Sequence, residues 1–376
     1  MKYISLGLIN KNIISIIIGI IFFFFNRLLP SYKDTILFRH QIIQNVYSAF
    51  SKLLAIIPYI IFKFRTKKHN NEIEEIKNNI TLIYNKANKK IVGGKWVYIF
   101  LSAILFFIQG ILYTFSFKIF LSFWILNILL NCLFSFFILK VNLYKHHYIS
   151  MTIIIILGIA LDLTTTNIRE INIVILIVRF IREIFSSLQD VINKYAMEKK
   201  FCSVYELTFY TGLINSILFT IFGLINYYAL KLKEIDDFDS YFKSFDTKEL
   251  LVSIGYIVIQ LGLYICILIT SKNYTPCHIF IIISSAQLLY YLIAFWDFTN
   301  LTIAIIIFLL LIIFMGLVFN EIIELNFWGL SINTRKNIGE RAEEDDLLII
   351  DKKVSLDENY EVELNIQKDN NSETNE

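Results

Sequence analysis

Three ionisable residues stand in the middle of an apolar run that covers residues 173–197, IVILIVRFIREIFSSLQDVINKYAM. Arg179, Arg182 and Glu183 fall where a helix of this length would lie deepest in a membrane. Each such side chain costs about 2.5–3.5 kcal/mol at the centre of a bilayer. Arginine suits a phosphate or carboxylate ligand, because its planar guanidinium group donates two parallel hydrogen bonds. The run therefore indicates a site for an anionic group.

The other polar residues of this run share one face of the predicted helix. At about 100° per residue, the charged and polar side chains from 179 to 194 fall within about 160° of one another, and the bulky apolar ones take the opposite face. A helix in lipid would not segregate its residues in this way. Lys52 lies near the middle of a second apolar segment, and two glutamines lie inside others. The predicted substrate-binding residues are Lys52, Gln109, Arg179, Arg182, Glu183, Asp190 and Gln260.

Two structural alternatives stay open at this point. Buried polar side chains often link membrane helices at about 0.6 kcal/mol each, and Arg179 and Glu183, at i and i+4, could simply neutralise each other. Alternatively, segment 173–197 could lie on the membrane surface as an amphipathic helix. We favour a substrate site, because an Arg179–Glu183 pair leaves Arg182 and Lys52 balanced only by Asp190.

The composition indicates a membrane protein. Of the 376 residues, 56% are hydrophobic and 18% are charged, whereas soluble domains have about 45–50% and about 25%. The apolar residues come in blocks of about 20, the length that crosses a bilayer. We predict an all-α polytopic membrane protein with ten transmembrane helices. They cover residues 11–29, 41–64, 96–116, 118–139, 147–163, 172–195, 205–230, 250–271, 276–296 and 301–325.

The loops predict the orientation and the domains. Lys and Arg concentrate in cytoplasmic loops, and residues 63–95 contain nine of them against three Glu. Both termini are therefore predicted to be cytoplasmic, although Arg27, Lys33 and Arg39 in the first outer loop break the rule. Ten spans divide into halves of five, 1–163 and 164–330, which would run in opposite directions as inverted repeats. The acidic, polar segment 331–376 is predicted to be a disordered cytoplasmic tail.

One stretch, SSLQDVINKYAMEKKFCSVYELTFYTGLI, resembles a known family. It is similar to the junction of the sixth and seventh helices in the drug/metabolite transporter superfamily, in its nucleotide-sugar-transporter-like (solute carrier family 35, EamA-related) branch. Val204 stands where proline is usual in that branch. The resemblance implies a carrier with five-plus-five inverted repeats and a central cavity. The matching residues are Asn193, Lys194, Tyr195, Ser203, Glu206 and Gly212.

We therefore expect a secondary carrier or antiporter of an organic anionic solute, such as a nucleotide sugar or a phosphate ester, in an ER, Golgi or other endomembrane. The main alternative is a membrane-embedded transferase acting on a lipid or a sugar. None of the five histidines lies in a recognisable catalytic motif, and His146–His147 is interpreted as a solvated turn. The four cysteines have no paired spacing. We expect no enzymatic activity, cofactor, metal or nucleic acid; the partners are the solute and the lipid bilayer, and a homodimer stays open.

Overall fold

The computed structural model describes residues 2–29, 37, 40–64, 81–116, 124–141, 143–165, 173–230, 241, 243, 245–294 and 299–323. These ranges are helical with short connections and contain no strand. The predicted tail 331–376 lies outside them, as does most of the acidic loop before residue 247.

The helices follow one another with short turns at several junctions. Residues 56–64 continue α2, one wide π-helical turn extends each of α4 and α7, and a 3-10 turn, Pro276–His278, leads into α9. Their bounds are α1 Lys2–Leu28, α2 Gln41–Leu53, α3 Thr81–Ser116, α4 Trp124–Phe134, α5 Lys145–Thr165, α6 Ile173–Lys199, α7 Val204–Ile225, α8 Thr247–Asn273, α9 Ile279–Ala294 and α10 Asn300–Phe319.

Six helices among the described residues are long and apolar enough to cross a membrane. They contain α2, α3, α7, α8, α9 and α10, while α1, α4 and α5 contribute shorter apolar segments. The charged helix α6 is absent from both groups. The chain is thus an all-helical polytopic membrane protein, as predicted. The count of ten spans and the inverted repeats stay predictions.

Helix packing brings the polar helices together. α6 packs between α3 and α4, α2 packs along α7 and α8, and α1 packs between α8 and α9. The two helices with few polar residues, α5 and α10, pack against each other, and Ile154, Leu309 and Ile312 at their contact are fully buried. This apolar pair lies to one side, so the candidate site is formed by α1, α2, α3, α6 and α8.

The polar face of α6 points into the bundle. Glu183 is 3% exposed, and Ser187 and Asn193 are also buried, whereas Ile173 and Ile177 are exposed. A helix lying on a membrane surface would have the opposite orientation, with its polar face outward. On the predicted apolar face, Phe180 and Ile181 are exposed, but Val191 and Ile192 are 0% and 5% exposed. The predicted division is therefore seen in the first half of α6, whereas both faces contact other helices in its second half.

The junction of α6 and α7 is fixed by the residues that resemble the transporter motif. The Ser203 hydroxyl accepts a hydrogen bond from the Glu206 backbone N–H at 3.1 Å and so caps α7. The Glu206 carboxylate pairs with Lys95 of α3 at 2.6 Å. Lys194 donates to the backbone oxygens of Lys272 and Tyr274 at the end of α8. These contacts join α3 to α7 and α6 to α8 at one end of the bundle.

Candidate functional site

A cavity of about 440 Å³ opens at the end of the bundle where α1 ends and α2 begins. We call it the arginine cavity. Three arginines line it, Arg27 from α1 and Arg179 and Arg182 from α6. Asn45 of α2, Gln109 and Tyr113 of α3, and Tyr256 of α8 add polar groups to its wall. The cavity therefore combines a strong positive charge with several uncharged hydrogen-bonding groups.

The three arginines have few partners inside the protein. Arg182 forms an ion pair with Glu183, and its guanidinium carbon lies 5.3 Å from the centre of the Tyr113 ring. Arg179 keeps two buried nitrogens, Nε and Nη1, without a hydrogen-bond partner. Among the described residues, neither Arg27 nor Arg179 has a carboxylate partner. The cavity therefore carries an excess of positive charge.

The carboxylate of Glu183 forms its ion pair with Arg182. It also accepts a hydrogen bond from Asn127 Nδ2 at 3.4 Å, so two helices hold it in place. The sequence alternative placed Arg179 and Glu183 in a pair at i and i+4, whereas the ion pair in the structure joins Glu183 to its neighbour Arg182. Glu183 thus orients one guanidinium and leaves the other unpaired.

Lys52, Gln260 and Asp190 lie near the arginine cavity without lining it. The Lys52 ammonium lies beneath Phe106, a residue of the cavity wall, with Nζ 3.1 Å from the ring centre. Gln260 supports the wall by donating to Asn26 Oδ1 at 2.8 Å. Asp190 lies two turns further along α6, within reach of the Asn131 amide. Of the seven predicted residues, only Gln109, Arg179 and Arg182 line the cavity.

A chain of buried amides and hydroxyls leads away from the arginine cavity along α6. Gln109 Nε2 donates to Gln189 Oε1 at 2.8 Å, and Gln189 Nε2 donates to Ser102 Oγ at 3.4 Å. Ser102 Oγ then donates to Asn193 Oδ1 at 2.6 Å. This chain places polar groups in the interior between α3 and α6. It ends next to Lys194, which lines a second cavity.

The second cavity lies at the other end of the bundle, where α6, α8 and α10 end. Its volume is about 690 Å³, and we call it the opposite cavity. Lys194, Glu198 and Lys199 of α6 contribute charges of both signs, and His147 and Glu321 lie on its wall. The bundle therefore has one cavity at each end, and α6 contributes to both.

Two histidines and one carboxylate meet beside the opposite cavity. The donor atoms of His146, His147 and Glu321 lie within 4.8 Å of one another. His147 Nδ1 accepts the backbone N–H of Tyr144 at 3.1 Å, so the neutral ring carries its proton on Nε2, which faces Glu321. That Nε2 atom lies 3.9 Å from Glu321 Oε1, which is longer than a hydrogen bond. The closer link between α5 and the residues after α10 is the contact of His146 Nε2 with Glu321 Oε1 at 3.1 Å.

The sequence interpretation of His146–His147 as a solvated turn is wrong. His146 is 3% exposed, and its Nε2 atom lies 3.1 Å from Glu321 Oε1. The partner lies 175 positions further along the chain, so no local pattern could reveal it.

Sequence reasoning also missed Arg27, Tyr113 and Tyr256 as residues of the cavity. Arg27 violates the charge distribution expected of the loops. That violation was the available signal, because an arginine within a membrane segment usually faces the interior of the bundle or a cavity. The two tyrosines gave no signal, since aromatic residues are frequent throughout this chain.

No protein-family model matches the chain, and no curated protein matches it. The resemblance to the drug/metabolite transporter superfamily therefore stays a prediction.

Proposed function

We propose that the protein is a secondary carrier or antiporter of an organic anionic solute, such as a nucleotide sugar or a phosphate ester, in an endomembrane. The proposal includes cytoplasmic termini and the fold of the nucleotide-sugar-transporter-like branch of the drug/metabolite transporter superfamily. The observation that carries it is the arginine cavity, where Arg27, Arg179 and Arg182 line one space and a single carboxylate, Glu183, is paired among them.

The charge of the cavity favours an anionic ligand. A charge removed from water costs several kcal/mol unless a partner compensates it. Arg179 has buried nitrogens without a partner, so a bound anion would supply what the protein does not. Two guanidinium groups on neighbouring turns of α6 could each donate a pair of hydrogen bonds to phosphate or carboxylate oxygens. The volume of about 440 Å³ is in the usual range for a small-molecule site.

The positions of the two cavities favour transport over binding alone. One opens at each end of the bundle, and the amide and hydroxyl chain along α6 lies between them. A carrier that works by alternating access needs a polar site that can face either side while the other side is closed. Lys194, which bonds to the end of α8, would be one of the contacts that must open on the side of the opposite cavity.

The helix contacts support the inverted-repeat organisation. If α1–α5 are matched in order with α6–α10, the packing of α3 on α6 corresponds to that of α8 on α1. In the same way, α4 on α6 corresponds to α9 on α1, and α3 on α7 to α8 on α2. The pairs α2–α7 and α5–α10 correspond to themselves. Two unrelated halves would have no reason to make matching contacts.

Uptake into liposomes tests the proposal. The purified full chain would be reconstituted and offered a panel of labelled nucleotide sugars and phosphate esters, with and without an unlabelled anion inside. We expect at least one solute to accumulate intact, faster than in empty liposomes and faster than with Arg182→Ala. Absence of uptake for every anion would contradict the proposal. Transfer of a glycosyl or acyl group without accumulation would favour the transferase alternative.

A further inference from the structure

Lys52 is a fully buried amine without a counterion. It is 1% exposed, and its Nζ atom has no hydrogen-bond partner. The nitrogen lies between two aromatic faces, 3.1 Å from the ring centre of Phe106 and 3.9 Å from that of Tyr264. None of the ion pairs among the described residues includes it. The protein thus stabilises the ammonium form by two ring faces alone.

The surroundings of Lys52 consist of aromatic rings and helix backbone. Cation–π contacts recover only a part of the cost of removing an ammonium group from water. α3 presents Phe106, α7 presents the backbone at Gly212, and α8 presents Tyr264. The titratable groups on this side are Tyr264 itself and, beyond its ring, Asp190 of α6. No carboxylate of a described residue contacts the amine directly.

An anion in the arginine cavity would change this balance. Phe106 separates the two groups: it lines the arginine cavity, and its ring also contacts the Lys52 amine. A negative charge on the cavity side of this ring favours the protonated form of Lys52, since few intervening dipoles screen the attraction in the interior.

We propose that Lys52 takes up a proton when an anion binds in the arginine cavity and releases it when the anion leaves. The inference rests on the proposed function and adds protons as the coupled ion. The proton comes from a hydronium ion or a buffer acid in the solvent: its bond to the donor breaks, an N–H bond forms on Lys52, and the amine becomes an ammonium. Lys52 would gain its proton when the solute binds on one side of the membrane and lose it when the solute leaves on the other. The solute and the proton therefore cross the membrane together.

Lys52 suits this role better than the other charged groups near the cavity. Guanidinium groups do not lose their protons in proteins, so Arg27, Arg179 and Arg182 stay charged in every state. Buried lysine, by contrast, changes its protonation state readily. Glu183 already pairs with Arg182 and accepts a hydrogen bond from Asn127. Asp190 is the other residue near the cavity that could take up the proton, and the variant Asp190→Asn tests it.

Calorimetry in two buffers measures the proton directly. The purified full chain in detergent would be titrated with inorganic sulfate, which does not titrate near neutral pH, in two buffers of different ionisation enthalpy at one pH. We expect wild type to take up about one proton per bound sulfate. Lys52→Met and Lys52→Arg should both lose the proton uptake, and Lys52→Arg should still bind sulfate. Lys248→Met, an exposed lysine at the start of α8, and Asp190→Asn should keep it.

The outcomes separate this inference from the proposed function. Sulfate binding without proton uptake in wild type would overturn the inference and leave the carrier standing. Proton uptake that persists in Lys52→Met, or disappears in Asp190→Asn alone, would do the same. If wild type bound none of sulfate, phosphate and glycerol phosphate, the proposed function would be wrong and this inference with it. Lys52→Arg keeps the test valid even if Lys52→Met does not fold.

Discussion

Gly212 of α7 lies directly against Lys52 of α2. A Cβ atom at position 212 would lie 2.6 Å from the Lys52 Cβ atom and 2.9 Å from its carbonyl carbon. These distances are shorter than any van der Waals contact, so the two helices can approach so closely only because residue 212 has no side chain. The approach fixes the level of Lys52 in the bundle, beneath the ring of Phe106.

Replacing Gly212 with alanine should therefore separate α2 from α7 and destabilise the protein. The added methyl group meets backbone, which cannot rotate away, and overpacking of this kind costs about 1–3 kcal/mol. Thermal unfolding of the purified protein in detergent would measure the loss. Gly255→Ala is the matched control, because a Cβ atom there meets nothing within 4 Å. Equal unfolding temperatures for the two variants would contradict the close α2–α7 contact.

Arg182 should contribute to transport both through its charge and through the two parallel hydrogen bonds that its guanidinium group can donate. Arg182→Lys keeps the charge and loses the second hydrogen bond, so uptake should fall but persist, whereas Arg182→Ala should abolish it in protein that still inserts. Initial uptake rates, normalised to the amount of reconstituted protein, would measure both. A purely structural Arg182–Glu183 pair predicts instead that Arg182→Leu with Glu183→Leu restores wild-type uptake. That result would show that Arg182 does not bind the solute.

Arg27 should contribute to solute binding although it lies on a different helix from the other two arginines. It lines the same cavity, with its guanidinium carbon 5.7 Å from the centre of the Phe23 ring. Arg27→Gln should raise the KM for an anionic solute by about tenfold, the loss of about 1.4 kcal/mol expected for one charge-assisted hydrogen bond. Arg27→Lys serves as the control that keeps the charge. An unchanged KM for Arg27→Gln would show that the solute binds elsewhere.

The sequence predicted those features that depend on the residue pattern of a single helix. The spacing of polar and apolar residues predicted the buried face of the first half of α6, because that spacing is a property of one segment. It did not predict that Val191 and Ile192 are also buried, because neighbouring helices cover them. It could not predict that Arg27 joins Arg179, or that Lys52 lies beneath Phe106, because those contacts depend on how helices cross. The pairing of Arg182 with its neighbour Glu183 was missed for a related reason. The i, i+4 rule describes an isolated helix, whereas the Glu183 carboxylate also accepts a hydrogen bond from Asn127 of α4.

The orientation in the membrane can be tested with single cysteines, because all four native cysteines are buried. Cys202 lies at the α6–α7 junction, where burial and the nearby Glu206 carboxylate raise the pKa of its thiol to about 12. Its reactive thiolate is therefore scarce at neutral pH, and wild type should show little labelling by a membrane-impermeant maleimide. This low background allows one exposed position to be examined at each end of the bundle.

Phe201→Cys and Lys248→Cys lie at the two ends, at exposed positions before α7 and at the start of α8. If the charge distribution of the loops predicts the orientation correctly, sealed microsomes with their cytoplasmic face outward should label Phe201→Cys. Lys248→Cys should be labelled only after detergent opens the vesicles. For the same reason Asn79, Asn273 and Asn370, each in an Asn-x-Ser/Thr sequence, should carry no glycan. Labelling of Lys248→Cys in intact microsomes, or a glycan on Asn79, would reverse the orientation and place the arginine cavity on the cytoplasmic side.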